Sequence, residues 1–85
     1  MATSTIKALP YVKYCENTGD ANTFANGVTL VTISTLNTAQ ENERCAIFTA
    51  TLLTNPIRKV QLEINTSGQI YTRYSTGSWT SWVQK

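Results

Sequence analysis

The chain has no histidine. Histidine is the commonest general base, the usual activator of a nucleophilic serine or cysteine and a principal zinc ligand, so the chemistries built on it lose their side chain at the outset. Charge is scarce as well: 14% of residues are Asp, Glu, Lys or Arg, against roughly 25% in an ordinary soluble protein. The five acids are Glu16, Asp20, Glu41, Glu43 and Glu63. Glu41 and Glu43 read as members of a polar loop and Glu16 and Asp20 as flanking a turn, so no carboxylate pair is set up for hydrolysis. With four glycines in total, no Gly-rich run precedes a helix to cradle phosphate. The expectation is a protein that is not an enzyme and carries no cofactor or metal. Cys15 and Cys45 stand thirty residues apart, without a C-x-x-C spacing. Whether they pair depends on whether their strands neighbour each other, and Cys45, inside an apolar run, reads as a small buried hydrophobe.

Long apolar runs are also missing. No segment is long enough to span a bilayer, and the opening Met-Ala-Thr-Ser-Thr lacks the form of a secretory signal. The chain therefore reads as complete, made in a cytoplasm and not inserted in a membrane. Seven Lys and Arg against five Asp and Glu give +2, spread over Lys7, Lys13, Arg44, Arg58, Lys59, Arg73 and Lys85. Tyr71, Arg73, Tyr74 and Trp79 interleave aromatic and basic groups as small barrels that bind single strands do. A dispersed +2 supplies no clustered basic groove, however, so no nucleic-acid partner is expected.

In place of charge there are hydroxyl and amide groups: 28 of the 85 residues are Thr, Ser or Asn. These favour strands and turns over helix interiors. They imply an all-β domain with a neutral, hydrogen-bonding surface. A chain this short buries only about 60–65% of the surface its unfolded form exposes, which leaves its core little margin over the ordering entropy. Self-association or stapling is the expected remedy.

Along the chain, residues 3–9 form a polar-apolar opening that stops at Pro10. Residues 11–15 are a β-former run and 16–22 a loop. Asn26-Gly27 reads as a tight turn leading into a strand over 28–34, with Val28 and Leu30 on one pleat face. Residues 36–44 are polar, a loop or a single helical turn. Residues 45–54 are apolar on both parities; three Thr and the Asn55-Pro56 stop favour a strand over a helix there. Such a strand is covered on both faces, by its own domain on one side and a partner subunit on the other. Val60, Leu62 and Ile64 alternate with Gln61, Glu63 and Asn65, the period of a strand with one buried face. Residues 65–68 turn the chain into a second alternating segment, 69–74, completing a β-hairpin. A further turn at 75–78 leads to a short terminal strand or corner carrying both tryptophans.

That C-terminal segment joins an apolar strand, a tight turn, Ile70-Tyr71-Thr72-Arg73, then Gly77, then Trp79-Thr80-Ser81-Trp82. It resembles the pyocin knob-like domains of phage tail fibres, closely over 60–85 and loosely over 22–85. The resemblance implies a small antiparallel sheet or sandwich knob, trimeric around its apolar strands, displayed on a virion as the tip of a tail or head fibre or as capsid decoration. Residues 21–85 would be the knob and residues 1–20 an arm attaching it to another virion protein. The knob would either cap the fibre or bind a host-surface glycan. The rival reading is a monomeric carbohydrate-binding module.

The candidate interface or glycan contacts are Tyr71, Arg73, Tyr74, Trp79 and Trp82. Tryptophan suits a wall between subunits, being large, apolar and in need of a partner for its N–H. In a strand, Trp79 and Trp82 would point to opposite faces, one inward and one toward a neighbour or ligand. Arg73 would stack on an aromatic plane or pair with Glu63 across the hairpin.

Overall fold

The computed structural model describes residues 12–14, 19–32, 34–40 and 43–85. The opening segment, most of the expected arm, Cys15 and Glu41 lie outside the described residues. Among the described residues, six strands form one sheet in chain order: β1 (Val12–Tyr14), β2 (Gly27–Val31), β3 (Cys45–Thr54), β4 (Ile57–Asn65), β5 (Ile70–Ser75) and β6 (Val83–Gln84). β1 lies parallel to β2, and every other neighbouring pair is antiparallel. The fold is all-β, as expected, and of the two forms anticipated it is the sheet rather than the sandwich. Val12–Tyr14, within the expected arm, is an edge strand of that sheet.

Local chemistry explains the connections. β3 and β4 are joined through a cis Asn55–Pro56 peptide. Between β4 and β5, the Asn65 side-chain oxygen accepts from the Ser67 and Gln69 N–H groups, both at 3.0 Å. The Gly68 N–H donates back to the Asn65 carbonyl at 3.0 Å, with Gly68 at φ 79, where a side chain is strained. Gly27, expected inside a tight turn, instead opens β2 at φ 121, and β2 ends at Val31 rather than Ser34. Residues 34–40 form an irregular loop.

Alternation along the strands divides the sheet cleanly. One face carries Thr29, Val31, Cys45, Ile47, Thr49, Gln61, Glu63, Asn65, Tyr71, Arg73 and Ser75, all buried. Residues 19–24, 34–40 and 79–82 cover it. The first two are tied to each other by Ala21 N–H to Leu36 carbonyl at 3.0 Å and Leu36 N–H to Gly19 carbonyl at 2.8 Å. The apolar part of this interior is small: Ala21, Val31, Cys45 and Ile47, with Phe24 and Trp82 packed against them. The opposite face carries Val28, Leu30, Ala46, Phe48, Ala50, Val60, Leu62, Ile64, Ile70, Tyr74 and Val83, in register across the strands. Phe48, Val60, Ile64, Ile70, Tyr74 and Val83 are exposed there.

The alternation of β4 therefore holds while its sense is reversed within the chain. Gln61, Glu63 and Asn65 face the covered side, and Val60 and Ile64 face outward. β3 occupies Cys45–Thr54, as its residues predict, with one face covered by its own chain and Phe48 and Ala50 exposed on the other.

Candidate functional site

A buried polar network runs through the covered face. Gln61 and Arg73 lie opposite each other on β4 and β5, and the Arg73 Nε donates to Gln61 Oε1 at 2.7 Å. The Gln61 amide nitrogen donates to the Ala21 carbonyl at 2.8 Å and to Thr49 Oγ1 at 3.1 Å. One amide thus ties β3, β4, β5 and the covering 3-10 turn at Ala21–Thr23 together. Their mutual bonds offset part of the cost of burial, although Arg73 Nη2, and Glu63 Oε2 on the same face, are buried without a hydrogen-bond partner.

Arg73 is the centre of the arrangement. Its guanidinium carbon lies 4.4 Å from the Trp79 ring centroid and 4.5 Å from that of Trp82, so the cation sits against two indoles at once. The sequence-based expectation of opposite faces for the two rings is corrected here, because residues 80–82 are not strand. Trp79 bridges back to Ser75, the Thr80 N–H donates to the Tyr74 carbonyl at 2.8 Å, and Thr80 Oγ1 accepts from the Tyr74 N–H at 3.2 Å. The chain then curls until β6 begins, and the curl brings Trp82 back over Arg73. Each indole N–H finds a carbonyl in the covering loops, Trp79 at Asn22 (3.3 Å) and Trp82 at Asn37 (3.0 Å). The expected pairing of Arg73 with Glu63 is corrected too: the rung opposite Arg73 is Gln61, and Glu63 faces Tyr71.

The ionisable groups respond to this setting. Burial lowers the Arg73 guanidinium to about 10, with the charges of Asp20 and Glu63 working in the other direction. It stays a cation at neutral pH. Burial raises the Glu63 carboxyl above its ordinary value, against hydrogen bonds from the Ala39 N–H and the Cys45 thiol. Its Oε1 accepts from the Ala39 N–H at 2.9 Å, which anchors the 34–40 loop. Asp20 is held below its ordinary value, first by the Asn37 amide and then by the Asn22 N–H, at 2.8 and 2.9 Å. Tyr71 accepts from Gln40 Nε2 through its hydroxyl at 2.6 Å.

Of the five candidate residues, Arg73, Trp79 and Trp82 come together, Tyr71 lies on the same covered face, and Tyr74 lies alone on the open one. Gln61, the hub of the network, was not singled out from sequence; the period-2 alternation that marks β4 supplies its position but not its role. Among the described residues no group of three or more His, Cys, Asp or Glu is placed to hold a metal.

Among the concavities of the described residues, two lie beside the candidate residues. A groove of about 620 Å³ runs along the open face, between Val28, Phe48, Ala50, Val60, Leu62, Tyr74 and Val83. A smaller polar one, about 440 Å³, lies at the tryptophan corner between Asn22, Asn37, Thr38, Ser78 and Ser81. No protein-family model, curated protein or solved structure matches this chain.

Proposed function

We propose that this chain is a virion structural protein, a small non-catalytic β knob on a phage fibre or capsid, whose apolar sheet face is completed by identical copies, three in the arrangement favoured from its sequence. The observation that carries this reading is the open face. From Val28 across to Val83 it is predominantly apolar, with Lys85 the charged residue at its margin, and six of its large side chains are exposed. Contiguous apolar surface of that kind marks an association site. The molecule's two longer extents, 39 and 32 Å, leave room for the roughly 800 Å² per partner that a stable interface needs. A face this poor in charge is compatible with a copy of itself, where a highly charged one would repel. The Arg73, Trp79 and Trp82 corner, which carries the resemblance to fibre knobs, serves in this reading to lock the covered face, and residues 1–20 serve as the arm to another virion protein.

Light scattering at low micromolar concentration tests the assembly. A mass of three chains is expected, and Phe48→Glu should reduce it to one; a stable wild-type monomer would overturn the reading. A second reading attaches to the polar groove at the tryptophan corner, whose hydroxyl and amide lining is suited to a sugar. A glycan array comparing wild type with Ser78→Ala and Ser81→Ala separates a glycan-binding knob from one that only caps a fibre.

A further inference from the structure

The β3–β4 hairpin reaches beyond the rest of the sheet. β2 stops pairing at Thr49 and β5 at Lys59, so residues 52–58 have no strand on either side. The register slips between Thr51 and Leu53, leaving Leu52 without a partner across the ladder. Such a bulge re-aims side chains, and Leu52 and Leu53 stand 67% and 49% exposed. Directly behind them on the returning strand are two cations. Arg58 pairs with Leu53 and Lys59 with Thr51, and Arg58 spends a donor on the neutral Ile57 carbonyl at 2.8 Å.

No carboxylate neutralises this tip among the described residues. Asp20 is held by Asn37 and Asn22, Glu63 by Ala39, and Glu43 accepts from Thr66. The tip thus differs from the open sheet face: both are apolar, but the tip carries two adjacent cations, whereas the face has Lys85 at its margin.

We propose that this tip is a peripheral lipid-contact element, with Leu52 and Leu53 entering the headgroup boundary of an anionic lipid surface while Arg58 and Lys59 meet its phosphates. Apolar burial and attraction to anionic headgroups combine additively at such a boundary. The contact is interfacial and needs no spanning segment; no helix of the described residues is long and apolar enough to cross a membrane. It does not rest on the assembly proposed above.

Co-sedimentation of the full chain with phosphatidylcholine vesicles, with and without phosphatidylglycerol, tests it. Pelleting is expected with the anionic vesicles alone, and should weaken as salt rises. The Leu52→Ser/Leu53→Ser variant should bind roughly tenfold or more weakly, and Arg58→Gln/Lys59→Gln about fivefold more weakly per cation removed, both with wild-type far-UV circular dichroism. Equal pelleting with both vesicle types, none with the anionic vesicles, or a leucine variant that binds like wild type would overturn the proposal. So would a leucine variant whose solution mass falls, since the tip would then be a contact between copies. A wild-type monomer that pellets with anionic vesicles retains this proposal and loses the assembled knob.

Discussion

The two faces of the sheet invert the usual arrangement. The side covered by the chain's own loops is rich in Gln, Glu, Asn, Arg and Thr, whereas the side left open is Val, Phe, Leu and Ile. In a self-sufficient small domain the apolar side would be covered, because burial of apolar area is the main driving force. Here the covered side is held by directed bonds: Arg73 to Gln61, Gln61 to Ala21, Glu63 to Ala39 and two indoles to loop carbonyls. Directed bonds specify one geometry and are intolerant of missing partners. The open side offers non-directional adhesion. The difference assigns fold specificity to one face and association to the other.

The comparison breaks first at Arg73. Arg73→Ala removes the cation from between two indoles and strands the Gln61 carbonyl, and a loss on the order of 3–5 kcal/mol is expected from those contributions. Urea unfolding followed by tryptophan fluorescence would measure it. Arg73→Lys should recover only part, since an ammonium lacks the planar fork. On the other face, Phe48→Glu should weaken association by roughly a hundredfold, about 2.7 kcal/mol, while leaving the urea midpoint of the single chain nearly unchanged. A fall in that midpoint as large as that of Arg73→Ala would erase the proposed division between faces.

The buried acids sharpen the same comparison through pH. Glu63 has a raised folded pKa, so its protonated form suits the fold; its contribution is complete below its ordinary value of 4.5 and is lost as pH rises through the folded value. Asp20 runs the other way, contributing above 3.8 and losing that contribution as pH falls through its lowered value. Glu63→Gln should flatten the decline on the neutral side, with a gain of about 1 kcal/mol at neutral pH, whereas Asp20→Asn should flatten the acid side. Stability measured from acid to neutral pH distinguishes them. A Glu63→Gln profile that matches wild type would show the carboxylate to be as well accommodated as the acid.

The smallest effect sets one tyrosine against the other. Tyr71→Phe should cost about 1 kcal/mol through its lost bond with Gln40, without altering the solution mass. Tyr74→Phe, on a residue 55% exposed on the open face, should leave the stability of the single chain within about 0.5 kcal/mol. Equal losses would mean that the Tyr71–Gln40 bond contributes nothing of its own.

Much of the framework was legible in advance. The dense apolar run gave β3 at Cys45–Thr54, alternation gave the β4–β5 hairpin, and Asn65 with Gly68 gave its turn. The affinity of Arg73 for an aromatic plane was legible as well. That two planes would receive it was not, because it depends on the curl of residues 80–82, where Thr80 replaces a continuing strand with a closed loop onto Tyr74. The rung assignment failed for a related reason: Gln61 rather than Glu63 faces Arg73, and register is set by the turn at Asn65, where a shift of a single residue changes every partner.

The sequence by itself determined that this protein is all-β and that β4 and β5 alternate between an apolar and a polar side, because period-2 patterning and β-branched propensity act within a few residues. Which face would be covered was decided only in three dimensions. An alternating strand is indifferent to the side from which it is approached until residues 19–24, 34–40 and 79–82 arrive, bringing carbonyls and N–H groups that the polar side chains can bond and the apolar ones have no use for.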